Sequence, residues 1–350
     1  MDNLKSKLNP HLLKLYPDIS NDLKALDFHP NLNIWKRERF DLAIKYVYLI
    51  EKNKYGKVTW LLDFYKEHIK AFTNGTFEEG DGSGKSNFLQ YLSTFESLEQ
   101  QFQTGNFDPD KTLIPITHGV IIDGSHRVSL AAFYNKMLKA VEINQVQIPF
   151  YDFNFFRSKG QPDWISDYTY LKRISFNNDI RIVHINPAAK IQDNEIEEIL
   201  KKHKTPIEYK KELKLNSFGF SLLVREFYKN EKWIGNYHNN FSGAFAHAKK
   251  SYNRRRKLRV IFIKQVDLAI LRDIKTEIRE KCKIDNHSIH INDTYEETER
   301  LAKIYLNENT IDFLNSCLNN KSFWLMDQKI HGWKTGEDVS LENLILVGSL

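Results

Sequence analysis

Residues 115–137 read PITHGVIIDGSHRVSLAAFYNKM, and the way this stretch divides decides the fold. Gly119–Ile122 has the β-branched, apolar character of a short strand, and RVSLAAFYNKML has apolar residues at helical spacing. Only Asp123, Gly124, Ser125 and His126 lie between them. A strand that passes so directly into a helix puts the unpaired first-turn N–H groups of that helix at the strand's end. Gly124 permits the tight turn and a close backbone approach, and Ser125 reads as the N-cap. The positive end of the helix dipole, with His126 and Arg127 adding charge-assisted contacts, makes a place where phosphates would sit. The same residues also suit a plain turn, capped by Asp123, with His126 and Arg127 on a solvated helix face. Spacing alone leaves both readings open.

Working outward, residues 1–35 read as short amphipathic helices ending near Pro30. Trp35 to Asn106 is mostly helical: RFDLAIKYVYLIEKN, TWLLDFYKEHIKAF and NFLQYLSTFESLEQQFQ all carry apolar residues at helical spacing. Around the central stretch, TLIPI and AVEINQVQIPFYDF are β-rich, and residues 155–175 are aromatic and irregular. From RIVHINPAA onward, strands (KLRVIFIKQ, HSIHI) alternate with helices (EIEEILKKH, FSLLVREFYK, LAILRDIKTEIREKC, YEETERLAKIYLN). The expectation is an α+β protein in three parts: a helical segment at 1–35, a domain at 36–178, and a second, α/β domain at 179–350, with the boundary near 175–185.

The chain has 350 residues, 41% hydrophobic and 27% charged, which is ordinary for a globular protein. No apolar run approaches the ~20 residues that cross a bilayer, and the start, MDNLKSKLNPHLLKLYPDI, lacks the uncharged core of a secretory signal. A cytoplasmic location without membrane insertion is expected. Cys282 and Cys317, with no CxxC and no histidine at ligand spacing, argue against a disulfide framework or zinc site. The net charge of +6 comes from 51 basic against 45 acidic residues, so nucleic acid is not indicated as a partner.

The run IIDGSHR followed by an Ala-rich helix resembles the D-G-x-H-R box of the ParB/sulfiredoxin-like superfamily, over roughly residues 105–155. That box binds nucleotide phosphates in sulfiredoxin and in free-serine kinases, and a related arginine-rich version binds CTP in ParB proteins. The resemblance implies a ParB/sulfiredoxin-like nucleotide-binding domain with a long helical N-terminal part. Gly124, Ser125, His126 and Arg127 would contact phosphate, and Asp123 would orient the loop or a magnesium ion. Sulfiredoxin has cysteine where Ser125 stands here, which removes its thiol chemistry and leaves nucleotide binding.

EEGDGSGKS at 78–86 misses the P-loop pattern, because Glu79 stands where the first glycine belongs and a helical segment precedes it instead of a strand. A kinase needs a carboxylate to take the hydroxyl proton, usually another for magnesium, and often a lysine on the transferred phosphoryl group. Glu78, Glu79, Asp81 and Lys85 supply those types on one loop, which is equally a solvated surface loop. The resulting expectation is a phosphotransferase using ATP and Mg²⁺ to phosphorylate a sugar, polyol or amino acid. Its catalytic residues would be Glu79, Asp123, His126 and Lys85, its metal ligands Asp123 and Asp81. Alternatives are a ParB-like nucleic-acid-binding protein or nuclease, which calls for a helix-turn-helix after the box, and an accessory module of a nucleotidyltransferase.

Five further features stand out. Arg39, Asp41 and Lys45 share one helix face, where an ordinary i,i+4 pair explains two of the three. HSIHINDTYEE weakly resembles the segment around the phosphorylated histidine of nucleoside diphosphate kinases, with His290 at a strand end and Asp293, Thr294 and Glu296 opening a helix, although Ile291 replaces the usual glycine. KWIGNYHNNFSGAF sets Gly235, Asn236, Asn239, Asn240 and Gly243 among aromatics, which suits carbohydrate or base stacking and also a packed Ω-loop. Arg254–Lys257 is a basic turn. Finally, LENLILVGSL at 341–350 reads as a buried strand, so a natural chain continuing past Leu350 is expected, with a possible catalytic domain beyond. This ending resembles the start of a polymerase-β-like nucleotidyltransferase, and the combination with the D-G-x-H-R box resembles, in general impression, cell-surface polysaccharide enzymes.

Overall fold

The structure is a computed structural model that describes residues 4–20, 22–78, 84–144 and 146–317. It is an α+β protein with thirteen α-helices and two four-stranded sheets among the described residues. The chain divides between Thr169 and Tyr170 into two compact units. This lies upstream of the boundary read from the sequence, inside a continuous helix, where no turn signal marks the change of partners.

The first unit holds strands β1 (Ala25–Phe28), β2 (Ile114–Thr117), β3 (Val120–Ile121) and β4 (Leu138–Glu142) in the order β1-β4-β2-β3. Its helices are α1 (Pro10–Leu15), α2 (Phe40–Tyr55), α3 (Thr59–Phe72), α4 (Phe88–Gln103), α5 (Ser125–Phe133) and α6 (Phe153–Ser158), and α7 (Asp163–Phe176) crosses the division. A tight turn at His118 and Gly119 pairs β2 with β3, and α5 then carries the chain back to β4, which runs parallel to β2. β1 completes the sheet as an antiparallel edge on β4, and Leu8, Leu12 and Ile19 pack on Leu113, Val141 and Val146. The N-terminal segment is thus part of this fold. ALDF gives no strand signal because it is four residues long and exposed except at Phe28.

Residues 155–175 are not irregular but form α6 and α7. Asp152 starts α6 by accepting the Phe155 N–H at 2.9 Å, a cap that outweighs the aromatic composition. α7 lays Trp164 and Tyr168 against Phe64 and Trp60 of α3.

The second unit has β5 (Ile180–Ile185), β6 (Ile207–Leu213), β7 (Leu258–Lys264) and β8 (Ile289–Ile291), ordered β6-β7-β5-β8. Its remaining helices are α8 (Asp193–Lys202), α9 (Ser217–Phe227), α10 (Ser242–Ser251), α11 (Leu268–Cys282), α12 (Tyr295–Tyr305) and α13 (Glu308–Ser316). Every strand pair is antiparallel, so this unit is α+β and the expected α/β character is corrected. Helix–strand alternation does not set strand direction: β5 and β6 are separated by β7, giving a split β-α-β arrangement with α9 and α10 inserted before β7. β5 is buried along its whole length because both of its faces are covered. Val183 and Ile185 pack with α8 and α11, while Phe227, His290 and Tyr305 ring His184.

Cys282 and Cys317 are buried free thiols. No helix among the described residues is long and apolar enough to cross a membrane. The terminal stretch 341–350 lies outside the described residues.

At the start of α2 the first unit buries a charge cluster. Arg39 donates to both carboxylate oxygens of Asp41, at 2.8 and 2.9 Å, and Lys45 reaches Asp41 at 3.4 Å and His68 at 3.2 Å. Arg39 is 2% exposed, Lys45 1%, and Asp41 and His68 are sealed off. An exposed i,i+4 pair is worth a few tenths of a kcal/mol, but removing one partner from a buried pair leaves an uncompensated charge. Asp41→Asn, nearly isosteric, is therefore expected to lower stability by about 3–5 kcal/mol in urea unfolding followed by circular dichroism. A loss within the few tenths typical of a surface pair would refute the buried cluster.

Candidate functional site

α5 begins where the D-G-S-H-R residues stand, but its cap differs from the sequence reading. Gly124, not Ser125, occupies the N-cap, and its side-chain-free backbone sits at φ +90° and ψ 28° with no capping hydrogen bond. A Cβ there would lie 2.9 Å from the Ile114 side chain and 2.9 Å from the Arg127 guanidinium. Both the left-handed backbone and the lack of space demand glycine. Ser125 is consequently the first helical residue, with its N–H among the groups that the helix leaves unpaired. At the other end, Asn135 at φ +50° stops the helix, and Lys136 N–H closes on the Ala131 carbonyl at 2.8 Å.

Asp123 sets the entry to this turn. Its Oδ1 accepts the Gly124 N–H at 2.6 Å, and its Oδ2 accepts the Asn9 side-chain amide at 3.0 Å. Arg127, half-buried, donates one long bond of 3.4 Å to the Thr112 carbonyl and has no ion-pair partner among the described residues. Burial pulls its pKa down while the nearby Asp123 pulls it back up, so the guanidinium stays charged.

His126 Nε2 lies 2.8 Å from the Tyr65 hydroxyl, and its ring meets Phe95 edge-on at 4.6 Å. Burial, reinforced by Lys45, Lys85 and His68, holds its pKa well below the ordinary histidine value. It is neutral near pH 7, so His126 itself brings no positive charge and offers a hydrogen bond.

These residues line a cleft of about 750 Å³, together with Lys85, Arg39 and the rings of Tyr16, Tyr91, Phe95 and Tyr151. Lys85 Nζ sits 4.6 Å from the Tyr91 ring centroid. Of the residues anticipated from sequence, Asp123, Gly124, Ser125, His126, Arg127 and Lys85 therefore come together. Glu79 and Asp81 lie outside the described residues. Glu78 is exposed, and its N–H bonds the Thr76 hydroxyl. Lys85 follows helix α3 and precedes α4, whose cap is Asn87, so the surroundings are those of a helix–helix loop and not of a strand-borne P-loop.

Sequence reasoning missed Asn9, Tyr65 and the role of the cluster at 39–68. Arg39 bonds the Ile121 carbonyl and stacks under Tyr151 at 5.4 Å, which ties the cluster to the strand leading into Asp123. Arg39, Asp41 and Lys45 on one helix face were the available signal. What made them a unit was burial, which the helix pattern does not display.

Among the described residues no group of three His, Cys, Asp or Glu side chains is placed to hold a metal ion by itself. Among the described residues, Asp123 is the single carboxylate lining this cleft. That fits a magnesium that keeps water ligands and shares phosphates with one protein carboxylate, and not a dedicated cage.

In the second unit, His290 Nε2 meets Glu297 Oε1 at 2.9 Å and stacks on Phe227, while Thr294 caps α12. Asp293 holds Lys275 at 2.8 Å. In the basic turn, Arg256 bonds the Ala189 carbonyl and Lys257 pairs with Glu212.

No protein-family model, curated protein or solved structure matches this chain.

His68 sets a pH dependence. Burial first, then Lys45, pushes its pKa well below 6.5 in the folded state, with Asp41 opposing. As the pH falls through the ordinary histidine range the unfolded chain gains a proton that the folded chain refuses, so stability drops as pH is lowered from about 7 to about 5. His68 alone is expected to contribute about 1 kcal/mol per pH unit there. His68→Asn has no proton to gain, and its stability-versus-pH slope is expected to be shallower whatever its absolute stability; an unchanged slope would show that His68 is not held neutral.

Proposed function

We propose that the cleft at the start of α5 binds the phosphates of a nucleoside triphosphate, and that the chain is a magnesium-dependent phosphotransferase acting on a small hydroxyl substrate such as a sugar, polyol or amino acid. In this reading the first unit is a ParB/sulfiredoxin-like nucleotide-binding domain. The observation that carries it is Arg127: a half-buried guanidinium without a carboxylate partner, beside the unpaired N–H groups of a helix N-terminus and a glycine that lets a ligand approach the backbone.

Within that reading, Arg127 and the α5 N–H groups hold the phosphates, and Lys85 neutralises the phosphoryl group in transfer. Bound magnesium, shared between phosphates and Asp123, would offset the charge that builds on the leaving oxygen. The acceptor's proton passes to a carboxylate, for which Glu79 is the candidate on the α3–α4 loop. His126, neutral and bonded to Tyr65, positions rather than charges the site. A link to cell-surface polysaccharide synthesis belongs to the same proposal, carried by the sequence resemblance.

The nucleic-acid alternative asks for a recognition helix after the box. Two helices do follow, but α7 gives its rings to α3, and Arg173 is buried against Glu208. No basic face suited to a phosphate backbone results from them.

Isothermal titration of the chain with ATP, ADP and CTP, with and without magnesium, tests the proposal. Binding of ATP or ADP is expected, and Arg127→Ala should weaken it by about 1.5–3 kcal/mol, the worth of one hydrogen bond to a charged group. Selective CTP binding would favour a ParB-like role instead. Unchanged affinity in a folded Arg127→Ala variant would remove the phosphate cradle.

A further inference from the structure

The second unit has a cleft of its own, about 700 Å³, lined from the end of α9, the following loop, α10, α11 and the first turns of α12. Part of its lining is a set of rings. Trp233 is 45% exposed, with its ring centroid 4.9 Å from Tyr228 and 5.4 Å from His247. Backbone packing fixes where it stands: a Cβ on Gly243 would lie 1.9 Å from the Trp233 carbonyl oxygen, so α10 approaches this closely only because residue 243 is glycine. The loop amides are spent on the loop itself. Asn239 Oδ1 accepts the Asn236 N–H at 2.8 Å, and Asn236 Oδ1 accepts the His238 N–H at 3.0 Å. Recognition is left to the rings. An exposed indole backed by two further rings presents a flat apolar surface that matches the C–H face of a pyranose.

The rest of the lining is polar, and several of its charged groups are paired. Lys275 bonds Asp293, Arg300 bonds Glu226, and His290 bonds Glu297. Arg279 is not: its guanidinium has no hydrogen-bond or ion-pair partner among the described residues, and its Nε is shut off from solvent. Next to Trp233, the ring of His247 is 7% exposed with Nε2 likewise unpartnered. Burial, with His287 close by, pushes the His247 pKa down to about 4, so its ring brings no charge. A half-buried guanidinium without a counter-anion calls for a carboxylate or phosphate, since an ionised group held out of water is costly unless paired. Glu296 and Glu297 line the same cleft, and the Glu296 carboxylate can accept hydrogen bonds from sugar hydroxyls.

We propose that this cleft binds an anionic monosaccharide unit, its ring laid on Trp233 and its carboxylate or phosphate held by Arg279. The site is independent of the nucleotide cleft of the first unit and does not rest on it.

The test is isothermal titration of the full chain with glucose 6-phosphate, glucuronate, glucose, adenosine monophosphate and inorganic phosphate, repeated on Trp233→Ala and Arg279→Ala. Both positions are at the surface of the cleft, and thermal unfolding checks that each variant is folded; Arg279→Lys, which keeps the charge and loses the fork, is the second variant at that position. At least one anionic sugar is expected to bind, with each alanine variant weakening it about ten-fold or more and the lysine variant falling between. Glucose and inorganic phosphate should each bind far more weakly, because each satisfies only half of the site. Binding of neither anionic sugar, equal binding of glucose or phosphate, tighter binding of adenosine monophosphate, or unchanged affinity in both alanine variants would overturn the proposal.

Discussion

Below the turn that joins β3 to α5, a guanidinium and an ammonium share one buried carboxylate. Arg39 clamps Asp41 with both arms and reaches the Ile121 carbonyl, while Lys45 extends the chain of contacts to His68, and His68 to Gln161 and Ser166. Through these bonds the start of α2, the middle of α3, the strand before Asp123 and the loop before α7 are held in one register. Burying ions forfeits their hydration, and such a cluster is weak evidence for net stability. What it supplies is geometry, because each member is satisfied only if the others stand in place. Asp41 stays ionised within it, because Arg39 and Lys45 hold its pKa below the usual carboxylate range against its own burial.

Burial first, then Lys45, disfavours protonation of His68 and His126, so neither adds charge to the cleft. The basic side chains lining the cleft include Arg127, Lys85 and Arg39. The cleft of the second unit sets the exposed Trp233 ring near a guanidinium, Arg279, that has no ion-pair partner among the described residues. In both clefts the informative residue is an arginine without an ion-pair partner among the described residues.

Much of the site was legible in one run of sequence. Apolar strand, Asp-Gly-Ser-His-Arg and helical spacing are local features, and local hydrogen bonding is what makes a helix N-terminus. Position within the turn was less legible, since the cap falls on Gly124 in a left-handed backbone and not on the hydroxyl residue that follows it. β1 was hidden because an exposed four-residue edge strand is defined by its partner β4 and not by its own pattern. α6 and α7 were hidden by aromatic side chains whose purpose is to pack on α3.

By itself the sequence determined the helices of strong period, the strand-to-helix turn at 123–127 and the α+β class, because each follows from contacts within a few residues. Tertiary structure alone decided the antiparallel direction of the second sheet, the burial that turned Arg39, Asp41 and Lys45 from a surface pair into a cluster, and the neutrality of His126. Strand direction, desolvation and the absence of a counter-ion all depend on which distant residues arrive at the same place, and no local pattern encodes that.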